Sequence, residues 1–349
     1  MPVNLTPWLE KLESAIDLAW EREKIATWKR FLDFQPFPQG FPPPTPTLPP
    51  PQKGDWPAFS INQAIRDPYA MALQQLGGVY QAAVTRSWNV PCIRSNYGTG
   101  ILPSLFGAET FWMDEALNTL PTSRPLQGAD AIRRLLDAGV PNLEAGFGRD
   151  VFQTAALMRQ AIAPYPKINE ITWMYHPDIQ GPVDVLELLW GSDMFYAFVD
   201  EPALVHDAMT LVTETYIRFL RRWLAENPPK GDGRYMAHWG YFCKGQVFLR
   251  EDSIVNLSVS MYEEFIQPHD ARVFKTFGGG GIHFCGREDH AIESMTSTPG
   301  LNMVQMSQPH LNDMPRIVRA TIGRGIPLVV RFVDSMKGLD LTRGYFRAG

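Results

Sequence analysis

Gly278-Gly279-Gly280-Gly281-Ile282-His283-Phe284-Cys285-Gly286 reads as a glycine-loosened turn, then a short apolar strand that ends on two soft metal-ligand side chains. Residues i and i+2 on a strand share a face, so the His283 imidazole and the Cys285 sulfur converge on one side. The order of these pieces bears on the fold. A nucleotide-binding open sheet wants its glycine loop after the strand and before the helix. Here the glycines come first, and the chain contains no P-loop or G-x-G-x-x-G. Donor side chains at the C-terminal end of a strand are where an α/β barrel keeps its chemistry. On spacing alone the pair also suits a satisfied strand histidine beside a buried thiol.

Outward from this strand, short β-like runs alternate with helical stretches. Strands are expected at residues 90–94, 171–175, 235–239, 281–284, 303–306 and 326–332, with helices over 181–190, 203–226, 261–277, 287–295 and 314–323. Alternation of this kind implies parallel strands with crossover helices. Further strands fit near 122–127 or 192–198, and a chain of 349 residues accommodates one large barrel. We therefore expect an α/β fold, a (β/α)8 TIM barrel over residues 58–349.

Ahead of the barrel, residues 7–34 place Trp8, Leu9, Leu12, Ile16, Ala19 and Trp20 at helical spacing. Residues 35–57 then shift in composition, and Pro42-Pro43-Pro44 and Pro49-Pro50-Pro51 exclude helix and central strand. Phe34, Phe37, Phe41 and Trp56 would be costly to leave in water, which favours a strap laid on the protein's own surface over a free ligand for a proline-reading domain. Residues 1–57 are read as an N-terminal helix and proline-rich strap.

A net charge of −5 without a Lys/Arg cluster argues against a nucleic-acid surface. No apolar run is long enough to cross a bilayer. Met1-Pro2-Val3-Asn4-Leu5 shows no secretory pattern, and the three cysteines, Cys92, Cys243 and Cys285, make a poor disulfide framework. The expected setting is a reducing cytoplasm, with a small-molecule substrate.

Reading each strand to its C-terminal end collects the candidate site. The first gives Cys92, Arg94, Asn96 and Tyr97; the next gives Tyr175, His176 and Asp178; then come His238, Cys243 and Lys244, His283 with Cys285, Gln305 and His310, and finally Arg331 with Asp334. Among these, His176, Asp178, Tyr97 and Lys244 are the candidate catalytic groups. Arg94, Asn96, Gln305 and Arg331 are the candidate substrate contacts, since arginine pairs with anionic groups. His206, His269 and His290 fall on expected helices and are read as structural.

Two segments resemble the uroporphyrinogen decarboxylase superfamily. One is Ile179-Gln180-Gly181-Pro182 with Trp190-Gly191 and Val199-Asp200-Glu201-Pro202; the other runs from Met261-Tyr262-Glu263-Glu264-Phe265-Ile266-Gln267-Pro268 to His283-Phe284-Cys285-Gly286. Together they span roughly residues 170–330. The resemblance implies a TIM barrel. The arginine-rich N-terminal motif of the true decarboxylases is missing. The H-x-C-G branch implies instead a zinc-dependent methyltransferase that moves methyl groups between a corrinoid protein or a methylated substrate and a thiol, with Zn2+ on His283, Cys285 and a later cysteine. That later cysteine has no counterpart at residues 326–332. Cys243, Cys92, His310 or Asp334 remain to complete a three-ligand set, and Cys243 is the expected choice because it follows the strand at 235–239. Two alternatives stand beside this one: a metal-free decarboxylase of a carboxylated small molecule or tetrapyrrole, and a non-catalytic partner of a corrinoid protein.

Overall fold

A computed structural model describes residues 4–44, 48, 49, 52 and 54–348. Thr45, Pro46, Thr47, Pro50, Pro51 and Lys53 of the expected strap, together with Met1, Pro2, Val3 and Gly349, lie outside the described residues. The strands are β1 Cys92–Ile93, β2 Thr110–Phe111, β3 Thr122–Ser123, β4 Trp173–Met174, β5 Tyr235–His238, β6 Tyr241–Lys244, β7 Val247–Arg250, β8 Gly280–Phe284, β9 Leu301–Met306, β10 Leu328–Val330 and β11 Tyr345–Arg347. A parallel five-stranded sheet runs β11-β10-β9-β8-β7, and β1 and β4 form a separate parallel pair. The fold is mixed α/β, as expected, but among the described residues the ladders do not join into one eight-stranded closed sheet.

Three local expectations are corrected. Residues 122–127 contribute only β3, which pairs antiparallel with β2 outside the main sheet. Residues 192–198 lie largely in the helix Met194–Asp200. The single helix expected over 7–34 is two, Thr6–Ala15 and Leu18–Leu32, because Asp17 turns extended and its carboxylate accepts the Ala19 and Trp20 N–H groups as an N-cap.

Side chains of the main sheet alternate cleanly between two cores. Val247, Leu249, Ile282, Val304, Leu328 and Val330 join the larger core with the helices. Phe248, Met303, Val329 and Phe346 face the other way, onto Trp28, Phe31, Phe37, Phe41 and Phe242. The helix Leu18–Leu32 and the first half of the strap therefore cover the second face. Phe41 stacks on Phe31 at 4.4 Å and bridges to Phe346 of β11. Gly281 is needed on this face, since a Cβ there would meet Phe248 Cε2 at 2.3 Å.

The same face also receives the hairpin β5–β6. Its turn residues Trp239 and Gly240 have φ of 49° and 82°, the conformation of a two-residue type I′ turn. Tryptophan is a strained choice at such a position and must be held there by its surroundings. Those surroundings are the site.

Candidate metal centre

One step beyond Phe248 and Met303 on the same face, β7, β8 and β9 present Arg250, His283 and Gln305 as register neighbours. The sheet alternation that buries Ile282 and Phe284 on one side aims His283 to the other. Two residues past β7, Asp252 folds back onto this layer: its Oδ1 accepts the Cys285 backbone N–H at 2.6 Å and lies 3.6 Å from His283 Nε2. Cys285 Sγ sits 3.2 Å from the same Nε2. One donor atom from each of Asp252, His283 and Cys285 thus falls within 4.8 Å of the others.

This donor set fits a zinc ion. Bonds of about 2.0–2.1 Å to nitrogen and about 2.3 Å to sulfur at tetrahedral angles place those two donors about 3.5 Å apart. The observed Nε2–Sγ separation of 3.2 Å is close to that value. His283 Nδ1 is engaged by Gln305 Oε1, and Gln305 Nε2 donates to the Met306 carbonyl at 3.3 Å, which sets the amide so that Oε1 accepts from Nδ1–H. The Nε2 lone pair is then the one facing Asp252 and Cys285. Burial holds His283 below the usual imidazole range, in the neutral form that a metal needs. Burial and then the nearby Asp252 carboxylate push the Cys285 thiol up to about 11. Without a cation the sulfur keeps its proton. The Trp239 ring stands edge-on to His283, centroids 5.1 Å apart.

A second cluster adjoins the first. Asp178 takes Arg94 Nη2 at 2.9 Å on one oxygen and Arg250 Nη2 on the other. Arg94 also donates to Tyr175 Oη and to Asn96 Oδ1. Arg250 Nη2 reaches His238 Nε2 at 3.0 Å, and its guanidinium lies 4.3 Å over the Trp239 ring.

Of the residues expected from sequence, the structure brings together His283, Cys285 and Gln305, with Arg94, Asn96, Tyr175, Asp178 and His238 beside them. The others go elsewhere. Cys243 lies on β6 opposite Met236, buried in the aromatic core with Phe242. The hairpin turn reverses the chain after Trp239, so β6 runs away from His283 between Tyr241 and Lys244. Lys244, at the hairpin's open end, pairs with Asp33 at 2.9 Å. His176 has both ring nitrogens occupied by backbone, Nδ1 at the Pro177 carbonyl (2.8 Å) and Nε2 at the Phe248 N–H (3.0 Å), which leaves none for a substrate. Tyr97 bonds Thr154 Oγ1 at 2.8 Å and lines a cavity of about 490 Å3 with Arg66 and Trp112. Arg331, His310 and Asp334 are exposed, and Cys92 Sγ accepts the Gly240 N–H at 3.2 Å. Sequence reasoning missed Asp252 and Arg250, and placed His238 at a strand end without giving it a role. The signal for the first was its place two residues past a strand end, hidden because β7 itself was not read.

No family model matches the chain, and no curated protein matches it. Among solved structures it is similar to a methyltransferase from Methanosarcina mazei, at 15% identity and a TM-score of 0.58, over 78% of this chain and 72% of that one. At this identity the likeness is one of fold. No helix of the described residues is long and apolar enough to cross a membrane.

Proposed function

We propose that the protein is a methyltransferase of the uroporphyrinogen decarboxylase-like class, with a TIM barrel over residues 58–349 and residues 1–57 as an N-terminal cover, and that it holds Zn2+ on Asp252, His283 and Cys285. The observation that carries this reading is the convergence of those three donor atoms within 4.8 Å at the end of β8. The fold shared with a methyltransferase supports it. When bound, zinc would hold a substrate thiol as thiolate at neutral pH, the form that accepts a methyl group. The chain's own part is positional. Gln305 fixes the His283 tautomer, Asp252 ties the Cys285 backbone to the site, and Trp239 packs against the imidazole. A three-residue set leaves a fourth position for the substrate. The methyl donor in this proposal is a corrinoid carried by a partner protein or a small methylated compound.

The second reading, a metal-free decarboxylase, draws on Arg94 and Arg250 gathered around Asp178. Metal analysis of protein purified without chelator separates the two. One zinc per chain, lost in Cys285→Ser and in Asp252→Asn, is the expected result. A metal content near zero in fresh protein overturns the methyltransferase reading.

A further inference from the structure

Arg250 is almost wholly buried, yet its Nε and Nη1 groups have no hydrogen-bond partner among the described residues. Burying a charged donor without an acceptor costs free energy that a fold normally avoids. Its partners do not meet the need. Nη2 alone serves both Asp178 and His238. Trp239 offers an attractive ring face but no lone pair for an N–H. The charge count points the same way. Arg94 and Arg250 share one carboxylate, Asp178, so the trio carries a net positive charge inside the protein. Each side-chain nitrogen of Arg94 has a partner among Tyr175, Asn96 and Asp178, whereas Arg250 has two nitrogens with none.

Its position makes the spare donors useful. Arg250 is the direct register neighbour of His283 on the adjacent strand, and both side chains lie on the same face of the sheet, with Trp239 touching each. We propose that Arg250 is a substrate-binding residue whose free N–H groups take an anionic oxygen group, of the carboxylate class, on the small molecule that reaches the donor set of Asp252, His283 and Cys285. This rests on the metal-centre reading above. It makes the substrate an anion, bound at one end by Arg250 and reacting at the other.

The test uses the full-length protein, as purified and loaded with Co2+, and three small thiols that differ in the charge of the tail: 3-mercaptopropionate, 2-mercaptoethanol and cysteamine. Calorimetry reads affinity, and the sulfur-to-cobalt charge-transfer band reads contact with the metal. The wild type should bind the anionic thiol about tenfold or more tighter than the neutral one, as a buried charge-assisted hydrogen bond implies, with cysteamine weakest. Arg250→Gln should flatten that ranking, and Arg250→Lys should restore part of it. Because Arg250→Gln leaves Asp178 with Arg94 alone and risks misfolding, the wild-type ranking is decisive by itself. Equal affinities for the three thiols, or no binding of any, overturns the proposal. A cobalt band with equal affinities removes Arg250 while keeping the metal centre. A charge ranking without any cobalt band does the reverse.

Discussion

His283 on β8 and Gln305 on β9 are register partners, and the amide oxygen of Gln305 accepts the imidazole Nδ1–H. A backbone ladder therefore fixes which ring nitrogen is free. Removing the acceptor lets the imidazole rotate and exchange tautomers, which at metal sites costs about 10–100-fold in affinity. Gln305→Leu should lower zinc affinity by about that factor, read by competition with a chromophoric chelator, while Gln305→Glu, which still accepts, should stay near wild type. Equal zinc affinity in Gln305→Leu would show that the hydrogen bond has no part in positioning His283.

The two thiols separate ligand from packing. Cys285→Ser and Asp252→Asn should each lose metal, whereas Cys243→Ser should keep it and instead lose stability by about 1–3 kcal/mol, the cost of a hydroxyl in an apolar setting. Cys243 lies opposite Met236 in the apolar cluster that also holds Phe242 and Phe248. Metal content and urea unfolding on the three variants give the answer. Loss of metal from Cys243→Ser at unchanged stability would return it to the ligand set.

Much of this site was legible in the chain, and what was not has physical causes. The glycine run and the His-x-Cys spacing mark β8 because a parallel strand buried on both faces must alternate ligand and core side chains within a few residues. Alternating strands and helices likewise give the parallel sheet. Asp252 was hidden for two reasons. β7 follows the hairpin with only Gly245 and Gln246 between, and Arg250-Glu251-Asp252 looks like a solvated charge run although Arg250 and Glu251 are buried. Cys243 is the expected third ligand because it follows the strand at 235–239, and Asp252 is not among the candidates weighed beside it, which are Cys92, His310 and Asp334. Nothing in local composition announces that a type I′ turn will occur at Trp239-Gly240, where an Asn-Gly pair is the usual mark. That turn decides where Cys243 goes.

The strap's aromatic anchor carries a stability prediction. Phe41 is buried and touches the rings of Trp28, Phe31, Phe37, Trp88 and Phe346. Truncating a core phenylalanine costs about 3–5 kcal/mol. Phe41→Ala should lower the urea midpoint accordingly, and because these rings continue the face that carries His283, zinc retention should fall as the cover loosens. A loss below about 0.5 kcal/mol, the scale of an exposed substitution, would place the strap outside the cooperative unit.

Two histidines outside the Asp252, His283 and Cys285 cluster are expected to weaken the fold on acidification. Burial pushes both His176 and His269 down to about 4. His269 donates from Nδ1 to Thr213 Oγ1, whose own proton goes to the Met209 carbonyl, and the positive neighbour Arg272 further opposes a second proton. In the unfolded chain imidazole titrates near about 6.5. Between about 6.5 and 4 the unfolded state therefore binds more protons than the folded one, so each histidine lowers stability as pH falls through that window. His269→Gln keeps a donor for Thr213 and removes the titration. Urea unfolding at pH 7 and pH 5 should then show a smaller loss of stability on acidification in the variant than in the wild type. The same loss in both would mean that His269 takes up its proton in the folded protein as readily as in the unfolded chain.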